Sequence, residues 1–203
     1  MDGDDLGVAV KAALAGAFRG TGQKCTASSR LIVHQKVHDA FVEQLVAGAR
    51  AMKGGPALAE GTEVGPVVSA DQLAEDLRYL ELGRSEGAEL LCGGERVECA
   101  TEGYFLSPAV FADTDMSMRI NQEEMFAPIT AVLRVGSYEE ALATANATPY
   151  GLTSGILTTS LARATHFRRH SRSGCVMVNL PTAGTDYHVA FGGRGDSSYG
   201  PRE

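Results

Sequence analysis

Between residues 6 and 18 the apolar positions Val8, Ala12, Leu14, Ala15 and Phe18 recur at helical spacing and Gly20 supplies a stop, which predicts a helix. A β-rich run over 29–34 follows, and Val37, Phe41, Leu45 and Ala49 then mark one face of a second helix reaching about residue 52. Gly54-Gly55-Pro56 breaks the pattern, and 61–68 reads as loop until Ser69-Ala70-Asp71-Gln72 gives a capping-box signature. Leu73, Leu77, Leu80 and Gly83 form the buried stripe of the helix it starts, and 88–92 reads as a strand closed by Gly93-Gly94. An extended segment over 104–111, broken by Pro108, precedes a strand at 129–135. Ser137-Tyr138-Glu139-Glu140 caps a helix to about 146, Tyr150-Gly151 turns the chain, and 152–158 is the next strand. Leu161, Ala164 and Phe167 mark a last helix, 174–179 a buried strand, and 181–200 a glycine-rich tail. Strands alternating with amphipathic helices predict one α/β domain over 1–203 with a largely parallel sheet.

Composition narrows the partners. A formal charge of −7 and a pI near 5.3 argue against nucleic acid or an anionic membrane, which are bound through basic patches. The densest basic stretch, 163–172, is short and helical in pattern. Cys25, Cys92, Cys99 and Cys175 are spread without a CxxC pair, so neither a zinc site nor a disulfide framework is expected and a reducing cytoplasm fits. The acidic start Met1-Asp2-Gly3-Asp4-Asp5 is unlike a secretory signal, and no apolar run approaches a membrane span.

Chemistry is best placed at Gly20-Thr21-Gly22-Gln23-Lys24-Cys25-Thr26-Ala27-Ser28-Ser29. A nucleophilic thiol needs backbone room for a substrate and a source of positive potential; the glycines offer the first and Lys24 the second. On local sequence alone, inert burial is the commoner fate of a free cysteine. Cys92 reads as core and Cys99 as part of a polar loop. In Glu123-Glu124-Met125-Phe126-Ala127-Pro128 a carboxylate pair precedes an aromatic ring and a proline-fixed turn, an arrangement able to aim one acid and one ring at a ligand. Adjacent glutamates are, however, more often simply solvated. His34 with His38 and His166 with His170 have the four-residue spacing of helical metal ligands but no third ligand, so no metal is expected. Gly192-Gly193-Arg194-Gly195 is no dinucleotide fingerprint, and Arg194-Gly195-Asp196 is discounted as an adhesion tripeptide.

Taken together, Phe18-Arg19-Gly20-Thr21-Gly22-Gln23-Lys24-Cys25, Glu123-Glu124-Met125-Phe126-Ala127-Pro128, residues 146–151, Val178-Asn179 and Phe191-Gly192-Gly193 occur in the order seen in aldehyde dehydrogenases. The chain resembles the catalytic domain of that fold over essentially its whole length. The resemblance implies that Cys25 is the nucleophile, that Glu124 holds hydroxyls of the nicotinamide ribose, and that Phe126 packs beside the nicotinamide of NAD or NADP. It implies a thiohemiacetal on Cys25, hydride transfer to NAD(P)+, and a thioester hydrolysed with a general base. The substrate is then a small aldehyde and the parent enzyme a homo-oligomer. Asn179-Leu180-Pro181-Thr182-Ala183-Gly184-Thr185-Asp186-Tyr187-His188 and Ser197-Ser198-Tyr199-Gly200-Pro201-Arg202-Glu203 look most like α-ketoglutaric semialdehyde dehydrogenases.

The family pattern also implies parts these residues lack: a dinucleotide-binding domain carrying the general base and the oxyanion amide, and an oligomerisation tail. The expectation is a domain that folds but does not turn over alone. Ala127 replaces a glycine common before the proline, a change expected to alter the turn presenting Phe126, and Gly195-Asp196 lies where a basic residue is common. The loop at 186–188 reads equally as substrate entrance or surface turn. Two alternatives stay open: a cysteine acyltransferase or hydrolase using Cys25 with one of five histidines, and a noncatalytic assembly module.

Overall fold

The computed structural model describes residues 3–199. The Met1-Asp2 start and the end from Gly200 to Glu203, on which part of the finer family resemblance falls, lie outside the described residues. The elements run α1 (Gly3–Phe18), β1 (Arg30–His34), α2 (Gln35–Ala51), α3 (Ala70–Ser85), β2 (Glu89–Cys92), β3 (Ala109–Thr114), β4 (Ile129–Val135), α4 (Tyr138–Asn146), β5 (Tyr150–Gly151), β6 (Thr153–Ile156), α5 (Leu161–His170), β7 (Cys175–Val178) and β8 (Arg194–Gly195).

The main sheet has the order β1-β4-β3-β2, with β1 and β3 parallel to β4 and β2 antiparallel to β3. Its strands are covered on both faces, which explains their near-continuous apolar sequence. Val110 and Val132 join α1 and α2 in one core, whereas Ala109, Phe111, Ile129 and Ala131 join α3 in a second. The expected three-layer α/β domain with a mostly parallel sheet is thus present.

Serine caps set the helix starts. Ser69 Oγ accepts from Gln72 N–H at 3.1 Å, Ser137 Oγ from Glu140 N–H at 3.1 Å, and Ser160 Oγ from Arg163 N–H at 3.3 Å. Each satisfies an amide that has no partner in the first helical turn.

Three expectations are corrected. Val8 is 57% exposed, and α1 instead buries Leu6, Ala9, Val10, Ala13, Ala17 and Phe18; this helix is apolar almost all round, so spacing could not choose its face. Leu161 is 82% exposed, leaving Phe167 to anchor α5. The extended segment at 104–111 becomes a ladder only from Ala109, after Pro108, because proline has no N–H to donate; Tyr104 and Leu106 make isolated bridges. The runs at 152–158 and 174–179 supply β6 and β7, a separate parallel pair, while β5 and β8 pair antiparallel. Among the described residues no helix is long and apolar enough to cross a membrane.

Candidate active site

Helix α1 ends where the chain enters the left-handed region, with φ of 68° at Gly20, 61° at Thr21 and 66° at Gly22. This reversal projects the following loop out of the helix axis. Four hydrogen bonds fix it: Thr21 Oγ1 donates to Gly65 O at 3.2 Å, Val68 N–H to Gln23 Oε1 at 3.0 Å, Ser28 N–H to Gly16 O at 3.0 Å, and Thr130 Oγ1 to Ser28 O at 3.1 Å. Cys25 is exposed at the tip, whereas Cys92 and Cys175 are buried and Cys99 is intermediate. The Cys25 N–H meets no acceptor among the described residues, so a clamped loop presents both a thiol and an open backbone donor. Lys24 folds back over Gly20, its Cε 2.8 Å from where a Cβ there would sit.

The two glutamates separate cleanly. Glu123 accepts from Arg119 Nε at 2.6 Å and from the Tyr79 hydroxyl at 3.1 Å, and the Arg119 hydrogen bond holds its carboxyl below the usual range. Glu124 is exposed and has no partner among the described residues. Phe126 is 38% exposed and adopts φ 56°, a conformation that a bulky side chain holds only when its surroundings impose it. Ala127 is buried and is not among the positive-φ residues. The alanine therefore fits, and the strain of the turn sits on Phe126.

One open cleft of about 1060 Å³ is lined by Cys25, Glu124 and Phe126 together with Ser28 and Thr182. Ser28 Oγ and Thr182 Oγ1 share a hydrogen bond of 2.7 Å, which ties the glycine-rich tail to the cysteine loop. All three residues singled out from sequence border this cleft, which also extends along α1, β1, α4 and β6. A free carboxylate can accept from paired hydroxyls, and an exposed ring offers a flat apolar face.

The other motifs are architecture. Asn179 Oδ1 accepts from Thr158 N–H at 2.8 Å and its Nδ2 donates to Thr158 O at 3.0 Å. Asn146 makes the same kind of clamp on Arg172 N–H and His170 O. Asp186 accepts from both the N–H and the ring of His188 and Tyr187 is 90% exposed, as in a surface turn. All five histidines have Nδ1 engaged away from the thiol: His34 by Lys36 N–H, His38 by Asp39, His166 by Tyr138, His170 by His166 O, and His188 by Asp186. None is hydrogen-bonded to Cys25 among the described residues, so the structure offers no preformed cysteine–histidine pair. Among the described residues no cluster of three potential metal ligands forms.

Sequence reading missed the loop clamps Thr21, Gln23 and Thr130, and the pair Gln72 and Asp76 beneath the Phe126 turn. Asp76 left one signal, a carboxylate three residues after Leu73 and four before Leu80 in an otherwise apolar stripe.

Comparison with known proteins identifies the family. The chain is 41% identical over 204 residues to the alpha-ketoglutaric semialdehyde dehydrogenase of Bacillus subtilis (strain 168), covering 100% of this chain and 42% of that protein. It is 44% identical over 182 residues to the alpha-ketoglutarate semialdehyde dehydrogenase of Haloferax volcanii, covering 88% of this chain and 37% of the relative. The structure superposes on 1-pyrroline-5-carboxylate dehydrogenase from Thermus with bound NAD at a TM-score of 0.89 and 38% identity, over 94% of this chain and 36% of the other. The chain therefore spans well under half the length of these relatives. Because the aldehyde dehydrogenase family model matches residues 1–203, the whole of the sequence, the chain belongs to the aldehyde dehydrogenase family.

Proposed function

We propose that this chain is the thiol-bearing catalytic part of an NAD(P)+-dependent aldehyde dehydrogenase. The observation that carries the reading is the exposed Cys25, on a loop clamped to α1 and β4, in one cleft with the unengaged Glu124 and the ring of Phe126. The Cys25 thiolate adds to the carbonyl carbon of an aldehyde, and the resulting oxyanion accepts from the open Cys25 N–H. Glu124 holds hydroxyls of the nicotinamide ribose and Phe126 packs beside the ring. A nicotinamide bound there supplies the hydride acceptor. Once the hydride has left, Cys25 carries the acyl group as a thioester, and water releases the carboxylic acid and the thiol.

The general base and the oxyanion amide are assigned to the part of the parent enzyme outside these residues, consistent with the 42% coverage of the Bacillus relative. The substrate is taken to be α-ketoglutaric semialdehyde, on the strength of identities of 41% and 44% to two such enzymes. All four cysteines are free, which supports a reducing, cytoplasmic setting. The parent enzyme is taken to be a homo-oligomer.

The test is reconstitution. The purified chain is mixed with α-ketoglutaric semialdehyde and NAD+ or NADP+, with and without the cofactor domain of its Bacillus relative, and reduced nicotinamide is followed by absorbance. Steady turnover is expected only with both parts present and is lost in Cys25→Ser. Turnover by the chain alone, or by the reconstituted Cys25→Ser variant, would overturn the proposal.

A further inference from the structure

Asp76 is a buried carboxyl without a cation. It lies on α3 with 0% exposure, between Leu73 and Leu80, which belong to the apolar cluster that also takes in Met125 and Ala127. Its Oδ1 accepts from Gln72 Nε2 at 2.8 Å, and its Oδ2 is buried with no partner among the described residues. Such a group is costly in an apolar layer, where an apolar side chain would leave no polar atom unpaired. An arrangement of this kind calls for a role that leucine could not fill.

The geometry supplies one. The amide nitrogen of Gln72 has two hydrogens; one goes to Asp76, and the same nitrogen lies 3.5 Å from the carbonyl oxygen of Phe126, a long contact that depends on how the amide is turned. Phe126 is held at φ 56°, so its backbone needs anchors from outside the turn. Gln72 is itself fixed at the start of α3 through its N–H to Ser69 Oγ. Backbone and side chain are then both pinned, the second by Asp76.

We propose that Asp76 is a positioning residue for the turn that presents Phe126: its buried carboxyl orients the Gln72 amide, and that amide holds the Phe126 carbonyl. The value of this brace to catalysis rests on the nicotinamide-facing role proposed for Phe126. The brace itself does not, and can be read without cofactor or substrate.

The experiment uses the chain with 4-fluorophenylalanine at its seven phenylalanines, the Phe126 fluorine signal being assigned by its loss in Phe126→Leu. In Asp76→Leu and in Gln72→Leu the Phe126 signal is expected to move or split while the other signals hold. In Asp76→Asn, which keeps an acceptor for Gln72, it should stay at the parent position. The thermal midpoint of Asp76→Leu is expected at or above that of the parent at neutral pH, whereas a merely structural residue would lower it and leave the Phe126 signal in place. A Phe126 signal unchanged in Asp76→Leu or Gln72→Leu overturns the proposal, as does an Asp76→Asn variant that behaves like the leucine variant. Because two different side chains are removed, failure of one variant to fold leaves the other to decide. A failure of the cofactor reading would show instead as unaltered nicotinamide-nucleotide binding in Phe126 and Glu124 variants of the reconstituted enzyme, with the fluorine result untouched.

Discussion

A Cβ built on Gly22 would overlap the carbonyl oxygen of Ala127, so the cysteine loop and the turn at 124–127 meet backbone to backbone. This contact sets the thiol and the Phe126 ring in one frame, since neither segment can shift without the other. Gly22 also has φ 66°. Gly22→Ala therefore incurs both left-handed strain and overlap with backbone that cannot yield, and is expected to cost more than about 3 kcal/mol. Gly20 has a similar φ of 68°, but a Cβ there meets only the flexible end of Lys24. Gly20→Ala should cost about 1–2 kcal/mol, the strain of a Cβ in the left-handed region. Denaturant unfolding of the two variants checks this; equal losses would mean that the contact with Ala127 is not what demands glycine.

The division of labour between the glutamates predicts unequal mutants. Glu123→Gln loses the charge bound by Arg119 and Tyr79 and should lower the thermal midpoint at neutral pH by about 1–3 °C, the range of a largely solvated pair. The carboxyl of Glu123 is held low, so its contribution is present above the ordinary value of 4.5 and lost as pH falls through the lowered value. The gap between parent and Glu123→Gln should close in acid. Glu124→Gln, with no partner to lose, should leave the midpoint at neutral pH unchanged. A Glu124→Gln variant as destabilised as Glu123→Gln would refute the assignment.

These residues also show where sequence stops being legible. Glycine spacing around Cys25 announced a loop, and serine three residues before a polar side chain announced α3 and α4, because such signals are local. Nothing local separates Glu123 from Glu124; the choice is made by Tyr79, 44 positions away, and by Arg119 one helical turn back. Phenylalanine carries no mark of positive φ, and the segments that meet the turn of Phe126, at Gly22 and Gln72, are remote in sequence. The parallel pairing of β6 with β7 rather than with the main sheet is likewise a tertiary choice that periodicity cannot encode. Periodicity assigns a carboxylate to the solvent face of a helix, so the burial of Asp76 within the apolar stripe of α3 is illegible in the sequence.

Accessibility predicts the order of thiol modification. In the native chain an alkylating reagent should label Cys25 first and Cys99 next, leaving Cys92 and Cys175 protected until unfolding. Burial also raises the pKa of the Cys92 thiol, which further slows its reaction. Peptide mass mapping after brief alkylation reads the order, and early labelling of Cys92 or Cys175 would contradict the placement of those side chains.

The buried carboxyl of Asp76 couples stability to pH. Burial, the largest cause, pushes its carboxyl up to about 6 from an ordinary 3.8; the Gln72 hydrogen bond opposes the rise and the charge of Glu75 adds to it. The native state thus binds a proton more tightly than the unfolded chain does. Stability from this group is fully present below the ordinary value and is lost as pH rises from 3.8 to about 6, beyond which the buried carboxylate remains a constant cost. The difference amounts to about 2–3 kcal/mol. Asp76→Asn mimics the protonated form at every pH, so the variant should match the parent near the acid end of that window and be the more stable of the two above about pH 7. At about 2–4 °C per kcal/mol the midpoints should part by several degrees, and contributions from Glu123 and other carboxylates cancel in the difference. Parallel curves for parent and Asp76→Asn from acid to neutral pH would show that Asp76 titrates normally and is not buried as described.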